Sequence, residues 1–428
     1  MRGLFRIKMI NLNKPELMAP AGSWESLMAA IKARADSVYF GVEELNMRAR
    51  SAQNFSINDI KKIVSVCRKN KIKTYLALNI IFYDDEIEEM KKICNAAKKA
   101  GIDAVIASDI SAIQYANLIG LRVNISTQAN VSNFEAVKFY SKFADAVVLA
   151  RELEIDKIKS IIDRIKAERL EGPNGKLMRV EIFAHGALCV SIAGKCYMSL
   201  SLYNHSANRG DCLQPCRRAY HVIDEETGNE LKIDNKFVMS PKDLCTIGFL
   251  DKIIESGVNI LKIEGRGRSP DYVYTVAKAY KDAIESYFKG EYTKEKIKAW
   301  TDELDTVFNR GFWQGGYYLG KKLGEWSGSF GSKSSKRKEL IGIVANYFLK
   351  NKVALIEMKS GSLMVGDEIL ITGPTTGVVK NKVEDIWIDN KPVNKSAKGD
   401  LISVKIAEKV RKNDKVYVLA DTKALLEA

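Results

Sequence analysis

Residues 73–127 read KTYLALNIIFYDDEIEEMKKICNAAKKAGIDAVIASDISAIQYANLIGLRVNIST. Three short apolar runs stand out: Lys73–Asn79, Ala104–Ser108 and Arg122–Thr127. Between the first two, Ile87, Met90, Ile93 and Cys94 recur at helical spacing, and Gly101 follows as a helix stop. Strand, helix, strand is the repeat of a parallel sheet covered by helices.

The same alternation runs outward from this stretch, from the start of the chain to about residue 300. Further strands are expected at Glu16–Ala19, Ser37–Gly41, Asp145–Ala150, Val180–His185, Phe237–Met239 and Asn259–Ile263. SWESLMAAIKARA (23–35) and INDIKKIVSVCRKN (57–70) are amphipathic helical stretches between them. So many repeats favour an α/β fold of the (β/α)8 type, a TIM-like barrel, over an open sheet. In such a barrel the C-terminal strand ends line the active face. The polar residues expected there are Asn79, Ser108, Gln128, Arg151, Glu152, His185 and Glu264. Some of these serve equally well as caps of the following helices.

The expected barrel domain spans 1–325. A Cys-, Asn-, Arg- and Gly-rich insertion at 186–245 interrupts it. Residues 326–338 are read as a linker, the end of GEWSGSFGSKSSKRK. From 339 to 428 the texture changes to alternating strands broken by GD, GP, KG and ND turns, which points to a small all-β barrel.

Charge narrows the partners. The chain has 67 Lys+Arg against 53 Asp+Glu, a formal net charge of +14. From Lys333 onward 18 basic residues face 12 acidic ones, so the small domain is the more basic per residue. Such a surface suits RNA phosphates. Arg209, Arg217, Arg218, Arg266, Arg268 and the basic residues of KSSKRK are the candidate contacts. Arg266 and Arg268 follow a strand ending in Glu264, a place where they could bind a phosphate or a carboxylate, or pair with Glu264. Gln128, Arg151 and Arg217 are further substrate-binding candidates. No apolar run approaches the roughly 20 residues needed to span a bilayer. The N-terminus lacks a sustained apolar core and a small-residue cleavage site, so a cytoplasmic location is expected.

In a reducing compartment, seven cysteines do not suggest a disulfide framework. Cys67 and Cys94 sit in helical stretches and read as core residues. The other five fall between 189 and 245. Cys189 and Cys196 lie seven apart with Gly194 between them, and Cys212 and Cys216 form C-x3-C with Pro215 inside. Four thiolates from two short loops suit an iron–sulfur cluster or a structural zinc. Unligated thiols are the third reading. Cys245, in SPKDLC, is an alternate ligand or a small packed residue.

The signature Glu181-x-Phe183-x-x-Gly186-Ala187-Leu188-Cys189, four residues, then Gly194-x-Cys196-x-Met198-Ser199 resembles that of the U32 peptidase family, the collagenase-like proteases. ELMAPAG, ADSVYFG, STQANVSN, VVLAREL, QPCR, KIEGRGRSP and FNRGFWQGGY agree with it, and the resemblance covers about residues 14–320. The C-terminal segment resembles the β-barrels of translation elongation factors.

The resemblance implies a [4Fe–4S] cluster on Cys189, Cys196, Cys212 and Cys216, with zinc as the alternative cofactor and Cys245 as an alternate ligand. It implies an RNA-modifying enzyme, most similar to proteins that hydroxylate a tRNA wobble uridine with a prephenate-type donor. Other members act on 23S ribosomal RNA or in ubiquinone synthesis. A U32-type peptidase and a non-catalytic RNA-binding or assembly factor are the alternatives. A protease needs an activated nucleophile or a metal-bound water. The chain has no H-E-x-x-H and no G-x-S-x-G, and only three His. No catalytic residue stands out; His185, Glu152 and Glu264 are weak candidates. The electron partner is not legible.

Overall fold

The computed structural model describes residues 12–422 except 51, 222, 229–238, 314, 316, 321–324 and 330. Its first seven strands, β1 (Glu16–Pro20), β2 (Ser37–Phe40), β3 (Lys73–Ala77), β4 (Ala104–Ala107), β5 (Val123–Ile125), β6 (Ala146–Val148) and β7 (Arg179–Gly186), pair in chain order and in parallel. Next come β8 (Asp243–Cys245) and β9 (Ile260–Ile263). β9 pairs in parallel with both β7 and β1 and so closes an eight-stranded barrel. The expected (β/α)8 fold is the observed one.

Both faces of each strand are buried, which is why the runs read as continuously apolar. In β2, Val38 and Phe40 face the helical shell, whereas Tyr39 points inward with Met18, Tyr75, Ile106 and Ile260. Glu16 plugs the N-terminal end, accepting bonds from Lys73 Nζ (2.7 Å), Tyr75 Oη (2.9 Å) and Arg179 Nη1 (2.9 Å). The C-terminal end carries the mouth. Helices Trp24–Lys32, Ile60–Lys69 and Ile87–Ala100 pack outside, the last ending at Gly101 with φ 80°. Cys67 and Cys94 are fully buried on two of them, and burial pushes both thiols up to about 12.

The strand expected at Phe237–Met239 falls mostly outside the described residues; Met239 itself lies in a turn. Instead β8 pairs antiparallel with the end of β7, His185 opposite Cys245, and β10 (Phe312–Trp313) pairs with β8. The segment read as a linker is tied down. Ser327 N donates to Ser240 O, Lys333 N to Asn309 O and Ser335 N to Asp305 O, and a strand already starts at Lys336.

The C-terminal domain is an antiparallel eight-stranded sheet with a separate two-stranded pair. Its strands alternate inward and outward; Ala354, Ile356 and Met358 are buried along Val353–Met358. Among the described residues the sheet pairing does not close, so the expected small barrel is an antiparallel sheet with edges at Gly377–Lys382 and Lys391–Val393. The sheet docks on helices Trp24–Lys32 and Pro270–Phe288. Lys32 Nζ donates to Val378 O (2.5 Å), Lys338 pairs with Asp271 (2.6 Å), and Leu370 and Val378 join the barrel's own core. Gly377, at φ 70°, lets the sheet approach the Met28 backbone, where a Cβ would come within 3.0 Å.

Candidate functional site

A cavity of about 170 Å³ occupies the barrel mouth. Inward positions of the strands make its floor: Tyr39, Ala77, Ile106, Phe183 and Lys262. The loops after the strands make its wall: Arg48, Asn79, Gln128, Arg151, Glu264 and Arg266. The inserted module makes its roof. Cys189, Cys196, Cys212 and Cys216 all line this one space.

The module has little regular structure beyond one helical turn, Met198–Tyr203, so its shape rests on specific bonds. Leu213 N donates to Ser199 Oγ (3.0 Å). Arg217 donates to Ser240 Oγ (3.1 Å), Pro241 O (3.1 Å) and Leu188 O, tying both ends of the module together. Gly194, at φ 80°, lets the roof close over Gln128, whose Nε2 a Cβ would approach to 2.8 Å. Gly210, at φ 79°, lies so near Asn46 O that a Cβ would be 2.2 Å away.

Burial raises the Cys212 and Cys216 thiols above their ordinary values, and the neighbouring module sulfurs add to the rise. A cation or cluster at the site would reverse this, because it stabilises the thiolate form. Among the described residues no three Cys, His, Asp or Glu gather tightly enough for a metal ion. The four cysteines line one cavity. As a donor set, four thiols fit an iron–sulfur cluster.

The wall is electropositive and partly unsatisfied. Arg48 holds Glu264 through bonds of 2.6 and 3.2 Å. Burial opposes the charge on Glu264, but Arg48, then Arg151 and Arg266, outweigh it and hold the carboxyl down at about 2. Arg266 is nearly inaccessible and donates to Asn46 Oδ1 (2.8 Å). Lys262 Nζ bonds Glu181 Oε1 (2.8 Å) inside the barrel and lies 4.5 Å from the Tyr39 ring centre. Arg151 stacks 3.8 Å from the Phe183 ring centre, and its buried Nε has no partner. Gln128 accepts from Ser126 Oγ, while its buried Nε2 also has no partner. Buried donors left open in this way point to a ligand oxygen.

Several expected residues lie elsewhere. Cys245 is fully buried, with Sγ 3.9 Å from Tyr280 Oη, and does not line the cavity. His185 is also outside the lining, packed among Tyr272, Tyr280 and Phe312. Burial, then Arg268, brings its imidazole down to about 3, so it is neutral and structural. Glu152 is exposed in the turn after β6, away from the lining. Arg268 stacks 3.6 Å from the Phe308 ring centre, likewise outside. Arg209 is engaged by Glu86, and in the former linker Lys336 pairs with Glu368. Arg48 and Asn46 were not among the residues expected at the site, and Lys262 and Glu181 entered only within the quoted motifs. Only the last two carried a signal, a charged residue at an inward position of an otherwise apolar strand.

A (β/α)8 barrel whose mouth is roofed by a four-cysteine module defines the class. The profile of Peptidase family U32 matches residues 22–328, and the chain belongs to that family. It is 54% identical over 408 residues to a protein named "Collagenase" from Porphyromonas gingivalis, covering 95% of this chain and 98% of that one. It is 31% identical over 392 residues to "tRNA hydroxylation protein P1" of Bacillus subtilis, covering 89% and 88%. It is 32% identical over 278 residues to "23S rRNA 5-hydroxycytidine C2501 synthase" of Escherichia coli, covering 65% of this chain and 40% of that one.

Proposed function

We propose that the protein is an iron–sulfur-dependent RNA-modifying enzyme that hydroxylates a pyrimidine nucleotide, with a tRNA wobble uridine as the leading substrate. The observation that carries this is the meeting of four module cysteines with open donors, Gln128 Nε2 and Arg151 Nε, around one cavity. Relatives named for RNA hydroxylation supply the substrate class.

Cys189, Cys196, Cys212 and Cys216 would hold a [4Fe–4S] cluster. When bound, such a cluster supplies electron transfer. Gln128 and Arg151 donate to substrate oxygens. Arg151, Arg266 and Lys262 give the cavity a positive potential, which suits a small carboxylate of the prephenate type as the donor molecule. Glu264 stays ionised under Arg48, so it accepts hydrogen bonds and does not supply a proton.

The name of the 54% identical relative favours a second reading, peptide hydrolysis. Among the described residues no imidazole lines the cavity, and burial leaves Cys212 and Cys216 poor nucleophiles. We place the protein in the cytoplasm; no described helix is long and apolar enough to cross a membrane.

Anaerobic purification tests the cofactor. Iron and acid-labile sulfide in equal amounts, with broad visible absorbance, are expected. Zinc alone, or peptide cleavage that survives iron removal, would contradict the proposal.

A further inference from the structure

The outer surface of the module has a chemistry unlike the rest of the barrel. From Ala187 to Tyr220 the chain carries Lys195, Arg209, Arg217 and Arg218 against a single acid, Asp211; Arg209 is engaged by Glu86 and Arg217 lines the cavity, which leaves Lys195 and Arg218 for the outer surface. That acid is already taken: Arg50 Nη1 donates to it at 3.0 Å, and His205 Nδ1 contacts its other oxygen. Lys195 and Arg218 are exposed, and among the described residues neither has a carboxylate partner. Arg218 instead bonds the Tyr203 hydroxyl and stacks 5.0 Å from that ring's centre.

Tyr197 is 76% exposed. It stands between Cys196 and Met198, whose side chains line the cavity. Its ring is therefore presented to solvent on the module, one residue from the cavity lining on either side. Ile192 and Leu202 are exposed on the same module. An aromatic ring on a cation-bearing rim is the arrangement that stacks unpaired bases and holds their phosphates. A duplex offers no free base face, and a nucleotide must leave its stack to reach a deep cavity.

We infer that this rim, centred on Tyr197 with Lys195, Tyr203 and Arg218, is a docking surface for single-stranded RNA. It would seat a loop so that one splayed-out nucleotide enters the cavity. The inference rests on the proposed RNA-modifying function and adds the form of RNA and the residues that grip it.

Fluorescence anisotropy with the full chain tests it, using a labelled uridine-containing single-stranded RNA and the same RNA as a duplex. The single strand should bind more tightly. Tyr197→Ala should weaken its binding about 5- to 150-fold, as loss of one stacked base does. Tyr197→Phe should keep the affinity, which separates stacking from misfolding. Removing Lys195 and Arg218 together should reduce the log–log salt slope by about 1.4, or ~0.7 per phosphate contact. Unchanged binding by Tyr197→Ala would overturn the inference. So would equal affinity for the duplex, or a Tyr197→Ala defect confined to a collagen-type peptide. If gene deletion alters RNA nucleosides while Tyr197→Ala binds normally, the rim alone is wrong. If the rim grips RNA but deletion alters no nucleoside, the hydroxylation proposal fails and the rim stands.

Discussion

Cys196 and Cys245 have the same side chain and opposite surroundings. One opens on the cavity with three other thiols; the other is sealed against Tyr280. Replacing Cys196 by Ser should therefore empty the site of iron and sulfide, and replacing Cys245 should not. Metal and sulfide analysis of anaerobically purified variants decides this. His185 gives a second prediction at this scale. Its imidazole titrates near 3 in the fold against 6.5 ordinarily, so the unfolded chain binds its proton first. The associated stability is present above about 6.5 and is lost as pH falls toward 3, by as much as roughly 5 kcal/mol. Urea midpoints across this range should fall more steeply for the wild type than for His185→Phe. Equal slopes would show that the ring is accessible and free to charge. The four cavity cysteines were legible from their spacing and flanking signature. Arg48 and Asn46 were not, because they come from a loop far away in sequence and meet the site only in three dimensions, through their bonds to Glu264 and Arg266.

At the scale of elements, the eight barrel strands were readable because burial on both faces leaves unbroken apolar runs. The two added strands were not: β8 has three residues and β10 two, too few to show a period. The module was readable as irregular, but its shape was not, since it depends on single bonds. Arg217 carries three of them. Arg217→Ala should loosen the module, so that limited proteolysis cuts between 188 and 220. Iron content should fall while the barrel's melting temperature shifts little. A drop in melting temperature without new cleavage would mean that Arg217 supports the barrel instead.

Across the whole molecule, the C-terminal sheet is part of the same packed body, since Leu370 and Val378 share the barrel core. The polar texture of residues 326–338 suggested a linker; hydrogen bonds to Ser240, Asn309 and Asp305 pin it to the barrel. Val378→Asp should then destabilise both parts together, by about 3 kcal/mol or more for a buried unpaired charge. Calorimetry should show one transition moving down. Two separating transitions would make the domains independent.

The cavity cysteines and RNA hydroxylation are joined in one experiment: nucleoside mass spectrometry of total tRNA from a deletion strain complemented with the wild type or with Cys196→Ser. A hydroxylated uridine should vanish on deletion, return with the wild type and stay absent with Cys196→Ser. An unchanged nucleoside profile in all three strains, or restoration by Cys196→Ser, would contradict that link.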